Sequence, residues 1–339
     1  MTIFAKEAEF SVAGKERDAG AVAWSPDGSQ LAVLATLLRH ATVFAVPSGD
    51  KLVTITDLVG GPRAIGFAAD GRVVIPGHRD DSAAVTLWNA DTGDTVSVPG
   101  PDPCSELAVT NMLSDFVLDS VRTRLVGVHA LKFRSHPDAA FAVAVYDART
   151  WTQLADHASN GLSPAISPDG TRAALTAAHG DIKVIDLATG EVLLLFEANT
   201  TGVKGLAWSA DGKRLASGAI AGGFGLIRAT GKYGPLRDDN VLQLWDANTG
   251  SRIAVVRSEH IGGGVESLEF SSNNRWLVTT TSDGTCRLWD AATLEPIEPI
   301  ETIATGLHPT AAIARFSPDS TRLAVIRTGR AHATIYRAS

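Results

Sequence analysis

A two-part sequence unit recurs seven times along the 339 residues of this chain. The first part is an apolar run that ends in a large apolar residue and is followed by a turn similar to Ser-Pro-Asp-Gly. Its copies end at Trp24, Phe67, Leu118, Ile166, Trp208, Phe270 and Phe316. Such a repeat predicts a modular fold in which each unit buries its apolar surface against the next unit.

The second part of the unit reads Leu-Trp-Asp in its best copies and is followed by a Thr-Gly turn. The tryptophan position is occupied, in order, by Phe44, Trp88, Tyr146, Ile185, Trp245, Trp289 and Tyr336. These positions lie 44, 58, 39, 60, 44 and 47 residues apart. Intervals near 40–45 fit a four-stranded propeller blade, and the two long intervals predict inserted loops. Apolar and polar residues alternate between the two parts, which indicates strands and not helices.

On these motifs the chain resembles the WD40-repeat family of β-propellers. The resemblance covers nearly the whole chain and is strongest in the fifth and sixth units. It implies an all-β fold: a seven-bladed WD40-type β-propeller with four-stranded antiparallel blades in a single domain, residues 1–339. The expected blades are about 19–57, 62–99, 106–156, 161–198, 202–258, 264–303 and 309–339 plus 1–14.

The two ends of the chain are predicted to share the last blade. The final landmark ends at Ser339 and leaves no room for an outer strand. We therefore expect residues 3–12 to supply the outer strand of blade 7. That arrangement closes the ring, and radial closure leaves only short, protected strand edges.

Composition limits the functional classes. The chain is 45% hydrophobic and 20% charged, so long disordered regions are not expected. Its net charge of −7 disfavours binding to nucleic acid, which needs many basic contacts to phosphate. Two cysteines cannot form a disulfide framework, and neither a secretion signal nor a membrane span is recognisable. These features, with the Ala/Arg/Asp/Gly-rich usage, favour a bacterial cytoplasmic protein without a membrane partner.

The resemblance also implies a buried structural network of His, Ser or Thr, Asp and Trp in some blades. In blade 6 the matching residues are His260, Thr279, Asp283 and Trp289. In blade 5 they are Ser217, Asp239 and Trp245, with no histidine at the expected place. Because His260 and Asp283 occur with Thr and Trp at the family spacing, we interpret them as structural and not as a catalytic dyad.

No contiguous motif for a nucleophile, a metal site or a phosphate-binding loop is present. The sequence therefore predicts no catalytic residue, no metal and no cofactor. One alternative stays open, a propeller enzyme of the hydrolase or lactonase kind, whose site at the channel mouth would be assembled from distant loops. A second alternative is a sensor or regulatory module of an effector system.

The loops between the second and third strands of the blades are the candidate interaction surface. They contain nine Lys/Arg and seven Asp, a balance of +2 in a chain of net charge −7. Arg pairs well with carboxylate and phosphate, so these loops, with the inserts of blades 3 and 5, predict a protein partner with an acidic or phosphorylated segment. The insert of blade 5 either binds that partner or packs against a neighbouring blade. The candidate residues are Arg39, His40, His78, Arg79, Lys132, Phe133, Arg134, Phe224, Arg228, Lys232, Tyr233, Arg237, Arg327 and Arg330.

Overall fold

A computed structural model provides the structure of the chain. It describes residues 3–11, 20–35, 40–56, 58, 64–76, 83–89, 92–99, 109–119, 122–131, 141–159, 162–177, 180–198, 202–219, 223–227, 232–236, 240–257, 264–281, 284–301, 312–327 and 332–339. All structural statements below concern these residues.

The strands form seven antiparallel four-stranded sheets, which we call blades 1 to 7 in chain order. Blade 1 contains β2 (Ala21–Trp24), β3 (Gln30–Ala35), β4 (His40–Ala45) and β5 (Lys51–Ile55). Blade 2 contains β6 (Gly66–Phe67), β7 (Val73–Pro76), β8 (Ala83–Trp88) and β9 (Thr95–Pro99). Blade 3 contains β10 (Val109–Leu118), β11 (Arg124–Leu131), β12 (Phe141–Asp147) and β13 (Gln153–Ser159).

Blades 4 and 5 contain β14 (Leu162–Ile166), β15 (Arg172–Thr176), β16 (Asp181–Asp186) and β17 (Val192–Glu197); and β18 (Val203–Trp208), β19 (Arg214–Ala219), β22 (Asn240–Asp246) and β23 (Arg252–Arg257). Blades 6 and 7 contain β24 (Val265–Phe270), β25 (Trp276–Thr281), β26 (Cys286–Asp290) and β27 (Pro296–Glu301); and β28 (Ala312–Phe316), β29 (Arg322–Arg327), β30 (His332–Ala338) and β1 (Phe4–Ser11). A separate two-stranded sheet joins β20 (Gly223–Ile227) and β21 (Lys232–Leu236).

The blades form a closed ring. The first strand of each blade lies innermost and contacts the neighbouring blades: β2 contacts β6, β10 contacts β14, β14 contacts β18, β18 contacts β24, β24 contacts β28, and β28 returns to β2. Between blades 2 and 3, β10 contacts β7 and β8. The fold is a seven-bladed β-propeller, which confirms the fold class and the number of blades predicted from the repeat.

The two repeated landmarks occupy the same places in every blade. In blade 1, Trp24 ends the first strand and pairs with Leu31, and Phe44 on the third strand pairs with the same leucine. In blade 5, Trp208 and Trp245 both pair with Leu215 in the same way. All seven residues of the second landmark are buried. The apolar positions therefore repeat because each blade places them in the same layer between neighbouring sheets.

The turns between the first and second strands explain the Ser-Pro-Asp-Gly signature. In blade 1 the Ser25 hydroxyl donates to an Asp27 carboxylate oxygen at 2.6 Å and accepts the Gln30 N–H at 2.9 Å. Hydrogen bonds from Ser25, and then from Ser29, lower the pKa of Asp27 to about 2. Gly28 has a φ of 71°, a conformation that glycine adopts without steric cost. The signature therefore specifies a tight, internally hydrogen-bonded turn.

The N-terminal strand closes the ring as predicted. β1 pairs antiparallel with β30 and is the outermost strand of blade 7. Its Phe4 ring lies 5.2 Å from the Trp276 ring of blade 6 in an edge-on arrangement. At its other end, the Phe10 ring lies 4.9 Å from the Phe44 ring of blade 1. One strand thus contacts both neighbours of blade 7.

A half-buried ion pair holds the same strand against its own blade. Arg322 donates to both Glu7 carboxylate oxygens, at 2.7 Å from Nε and 3.2 Å from Nη2. The side chains of Arg322 and Glu7 are 21% and 16% exposed, so solvent screens this pair weakly. The hydrogen bond from Arg322 holds the pKa of Glu7 below its usual value. Bidentate geometry adds direction to the attraction.

Replacing Glu7 by Gln is expected to lower the free energy of unfolding at pH 7 by about 1–3 kcal/mol, because the charged partner of a half-buried Arg322 is lost. Since the pKa of Glu7 is lowered on folding, its stabilisation is present above its unfolded pKa and is lost as the pH falls through the folded pKa. The difference from the native chain should therefore shrink toward pH 3. Denaturant titration at both pH values measures it.

The matched control is Glu9→Gln on the same strand. Glu9 pairs with Lys6, and both side chains are about half exposed. Exposed pairs contribute about 0–1 kcal/mol, so this change should have a small effect at both pH values. Equal stability of the Glu7 and Glu9 variants at pH 7 would contradict the assigned role of the Glu7 pair.

Candidate functional site

The ring has two ends of different construction. Because strands alternate in direction, the turns after the first and third strands of each blade lie at one end, which we call the turn face. The connections after the second and fourth strands lie at the other end, which we call the loop face. The turn face consists of short hydrogen-bonded turns, such as Gly28 N–H to Ser25 C=O at 3.0 Å and Gly250 N–H to Asp246 C=O at 2.9 Å. The segment inserted between β19 and β22 of blade 5 lies at the loop face.

The insert of blade 5 contains a β-hairpin. Strands β20 and β21 lie between β19 and β22 in the chain and pair only with each other. The long interval between landmarks predicted an inserted loop here; the structure shows that the segments 223–227 and 232–236 pair residue by residue. The hairpin is added to blade 5 outside its four-stranded sheet.

The hairpin register divides its residues between two faces. Phe224 pairs with Pro235 and Leu226 with Tyr233, so these four positions share one face of the ribbon. Three of the six positions on the other face are glycines, 223, 225 and 234. Glycine within a strand is typical of places that another backbone or a ligand approaches closely. By residue type, one face of the ribbon is apolar, and the other combines three glycines with Ile227, Lys232 and Leu236.

The predicted interaction residues are only partly described. His40 begins β4 and is half-buried, and Arg327 ends β29. Phe224 lies on β20, and Lys232 and Tyr233 lie on β21; positions 224 and 233 share one face of the hairpin, and position 232 lies on the other. The remaining predicted residues lie outside the described part of the chain: Arg39, His78, Arg79, Lys132, Phe133, Arg134, Arg228, Arg237 and Arg330.

Two buried side-chain hydrogen bonds lie at the predicted network positions. Trp289 Nε1 donates to Thr279 Oγ1 at 2.8 Å in blade 6, and Trp245 Nε1 donates to Ser217 Oγ at 2.9 Å in blade 5. Thr279 and Ser217 are fully buried, so each hydroxyl satisfies an indole N–H that would otherwise be desolvated without a partner. The other predicted members, His260, Asp283 and Asp239, lie outside the described residues.

Sequence analysis did not foresee the hydrogen bonds that join neighbouring blades. Trp208 Nε1 donates to the Ala165 carbonyl of blade 4 at 3.0 Å, and Trp24 Nε1 donates to the Arg315 carbonyl of blade 7 at 2.9 Å. The sequence offered one indication of these bonds: two of the seven residues that end the first landmark are tryptophan, and the others are phenylalanine or aliphatic. In these two blades the tryptophan supplies both apolar surface and an N–H hydrogen-bond donor.

A polar cluster joins the innermost strands of blades 6 and 7. Glu269 on β24 accepts the Phe316 N–H at 2.6 Å, and Arg315 on β28 donates to the Ser267 hydroxyl at 2.7 Å. Burial raises the pKa of Glu269 to about 7, and the nearby Arg315 opposes that rise. The carboxyl therefore titrates near neutral pH while it holds a backbone donor of the next blade.

A second long-range contact starts from the turn of blade 3. Arg122 Nη2 donates to the Trp24 carbonyl of blade 1 at 3.0 Å. Arg122 occupies the position of the turn glycine with a φ of 56°, which costs a residue with a side chain about 1 kcal/mol. Burial lowers its pKa to about 10, and Asp27 opposes that shift. In this strained conformation the guanidinium of Arg122 links blade 3 to blade 1, which are not adjacent in the ring.

A cleft of about 310 Å³ opens on the turn face between blades 1 and 2. Its two carboxylates belong to turns: Asp27 is bonded to Ser25 and Ser29, and Asp70 accepts from the Arg72 side chain at 2.8 Å. Burial by itself would raise the pKa of Asp70, but the hydrogen bonds from Arg72 outweigh burial, so the pKa is lowered. Both groups are therefore ionised and engaged in holding their own turns.

The described residues define a class of protein: an all-β, seven-bladed propeller whose polar contacts between blades hold the ring together. The family model of the WD40 repeat, described as "WD domain, G-beta repeat", matches residues 190–246 and 251–290. These segments cover the outermost strand of blade 4, all four strands of blade 5 and the first three strands of blade 6. This match and the seven-bladed fold together support the WD40-repeat propeller family, in agreement with the resemblance seen in the sequence.

Within the described part of the chain, no group of three or more His, Cys, Asp or Glu is arranged to hold a metal ion. None of the helices described has the length and hydropathy needed to span a membrane.

Replacing Glu269 by Gln tests the cluster between blades 6 and 7. Its pKa rises on folding from 4.5 to about 7, so its contribution is fully present below pH 4.5 and is lost as the pH rises toward 7. At about 1.4 kcal/mol per pKa unit, the native chain should lose at most about 3 kcal/mol across this window, and the Gln variant should lose less. Denaturant titration between pH 4.5 and 8 measures both slopes.

Glu266→Gln is the control for this experiment, because Glu266 lies on the same strand but pairs with the exposed Lys204. It should leave the slope close to that of the native chain. Parallel pH profiles for the native chain and the Glu269 variant would show that burial of this carboxyl does not control the pH dependence.

Proposed function

We propose that the chain is a non-catalytic scaffold that binds a protein partner through its loop face, with the hairpin β20–β21 as the main contact. WD40 propellers are commonly protein-interaction scaffolds and typically not enzymes. A closed ring offers a preorganised surface, so little ordering entropy is lost when a partner binds. The single observation that carries the proposal is the added hairpin with its apolar face.

The hairpin fits the requirements of a binding element. Its two strands pair with each other and with no strand of the blade sheet. Positions 224, 226, 233 and 235 concentrate aromatic and apolar residue types on one face, and aromatic residues dominate binding energy in protein interfaces. The glycines opposite permit close approach of a second surface.

The chemistry of the partner is inferred from the loop sequences. Basic residues cluster in the inserts of blades 3 and 5, at Lys132, Arg134, Arg228, Lys232 and Arg237. Together with an apolar ribbon face, they favour a partner segment that combines an aromatic or aliphatic anchor with acidic or phosphorylated residues. The bacterial, cytoplasmic setting remains a prediction from composition alone.

Replacing residues 221–236 by a short Gly-Ser turn tests the role of the hairpin. Binding to an array of acidic and phosphoserine peptides with apolar anchors should fall at least about tenfold, because the anchor positions are removed. The melting temperature should stay within about 2 °C of the native value, because the hairpin pairs with no blade. Loss of stability together with binding would instead show that the insert packs against the ring.

Point variants separate the two faces of the ribbon. Phe224→Ser combined with Tyr233→Ser changes the apolar face, whereas Ile227→Ser changes the opposite face of the same ribbon. The first variant should lose binding to the peptides that the native chain selects, and the second should keep it. If both variants bind the peptides with the affinity of the native chain, the hairpin is not the contact with the partner.

A further inference from the structure

The outer rim of blades 4 and 5 carries an unusual share of exposed apolar surface. Leu193 and Leu195 of β17 are 44% and 63% exposed, and Ile253 and Val255 of β23 are 48% and 40% exposed. Val192, at the start of β17, adds another exposed aliphatic side chain. Blades 1, 2 and 3 each contribute one comparable residue from their outer strands, namely Leu52, Val96 and Leu154.

These two outer strands also lack the usual protection of a sheet edge. Edge strands are commonly protected by charged residues or proline within the strand. Three other outer strands have such residues in their interior: β1 contains Lys6, Glu7 and Glu9, β13 contains Asp156, and β27 contains Glu298 and Pro299. The strands β5 and β9 carry Lys51 and Pro99 at one end only. The interior of β17 reads Leu-Leu-Leu-Phe, and the interior of β23 reads Ile-Ala-Val-Val. These two longer apolar edges lie on adjacent blades.

The charges at the ends of the two strands are opposite in sign. Glu191 and Glu197 flank the apolar run of β17, and Arg252 and Arg257 flank that of β23. All four residues are exposed. Each edge therefore has the same apolar centre as the other but the complementary charge at both ends.

The two edges also match in position. Ile185 pairs with Val192 in blade 4, and Trp245 pairs with Arg252 in blade 5, so these outer residues occupy equivalent places. Counting along each strand, Leu195 is equivalent to Val255 and Glu197 to Arg257. Glu197 and Arg257 therefore lie at the same height along the ring axis, and Glu191 lies one residue from the height of Arg252.

We propose that this rim is a self-association surface, on which β17 of one copy faces β23 of a second copy and β23 of the first faces β17 of the second. A two-fold axis parallel to the ring axis keeps every residue at its height along that axis and places β17 of one copy opposite β23 of the other. Glu197 therefore meets Arg257, and Leu195 meets Val255, in both halves of the interface. Such an isologous contact closes as a dimer and leaves no free complementary edge.

Charge selects this arrangement over the other symmetric one. A two-fold axis perpendicular to the ring axis would place β17 against β17 and β23 against β23. Glutamates would then face glutamates and arginines would face arginines at both ends, which is unfavourable. The apolar centres drive association in either arrangement, and the flanking charges decide between them.

Sedimentation equilibrium of the full chain is the first test, and a reversible dimer with Kd on the order of 10–100 µM is expected. The double variants Glu191→Arg/Glu197→Arg and Arg252→Glu/Arg257→Glu should each dimerise at least about tenfold more weakly, because like charges then face each other. An equimolar mixture of the two variants should regain the native affinity, because both halves of the mixed interface become complementary. Since all four residues are exposed, the fold should be retained in both variants.

Leu195→Lys and Leu52→Lys form the matched pair of apolar controls. Both replace an exposed leucine on an outer strand, but only Leu195 lies on the proposed surface. The first change should abolish the dimer, and the second should leave it unchanged. The proposal is overturned if the native chain stays monomeric to about 500 µM, if the mixed variants associate no better than each alone, or if Leu52→Lys is equally disruptive.

Discussion

The structure depends on one geometric constraint: a blade can bury both faces of its sheet only between two neighbouring blades. The core accordingly consists of seven apolar clusters, each made by two adjacent blades. Six of these pairs are also joined by the chain itself as it passes from one blade to the next. The seventh, between blades 7 and 1, is closed by packing, by the Trp24 hydrogen bond to Arg315 and by β1. An open row of blades would leave two apolar faces in water.

Polar contacts then fix how the blades sit relative to each other. Apolar packing is non-directional, whereas Trp208 to Ala165, Glu269 to Phe316 and Arg122 to Trp24 each need one relative placement of two blades. These groups are buried or half-buried, so a small displacement would leave a desolvated donor or acceptor. A rigid ring is what allows surface elements, such as the blade 5 hairpin, to present residues in a fixed arrangement.

Much of the fold could be predicted from the sequence because the landmark residues mark equivalent layers in every blade. Even the role of β1 followed from counting strands before Ser339. The contacts between blades could not be predicted, because they depend on the stagger of adjacent sheets: nothing around Arg122 indicates that it reaches Trp24. The hairpin was missed because its glycines obscure the alternation, and the apolar edge of β17 has meaning only once that strand is known to be outermost. Most of the predicted basic residues of the loops lie outside the described part of the chain, so they remain predictions.

Amide hydrogen exchange on the full chain and on a variant without residues 1–11 tests most directly whether closure holds the entire ring. Exchange of the slowest amides reports the free energy of opening for each strand. The account predicts that the second strands of all seven blades lose protection together, including β11 and β15, which lie farthest from blade 7. A loss confined to β29, β30 and the strands beside them, with β11 and β15 fully protected, would contradict it.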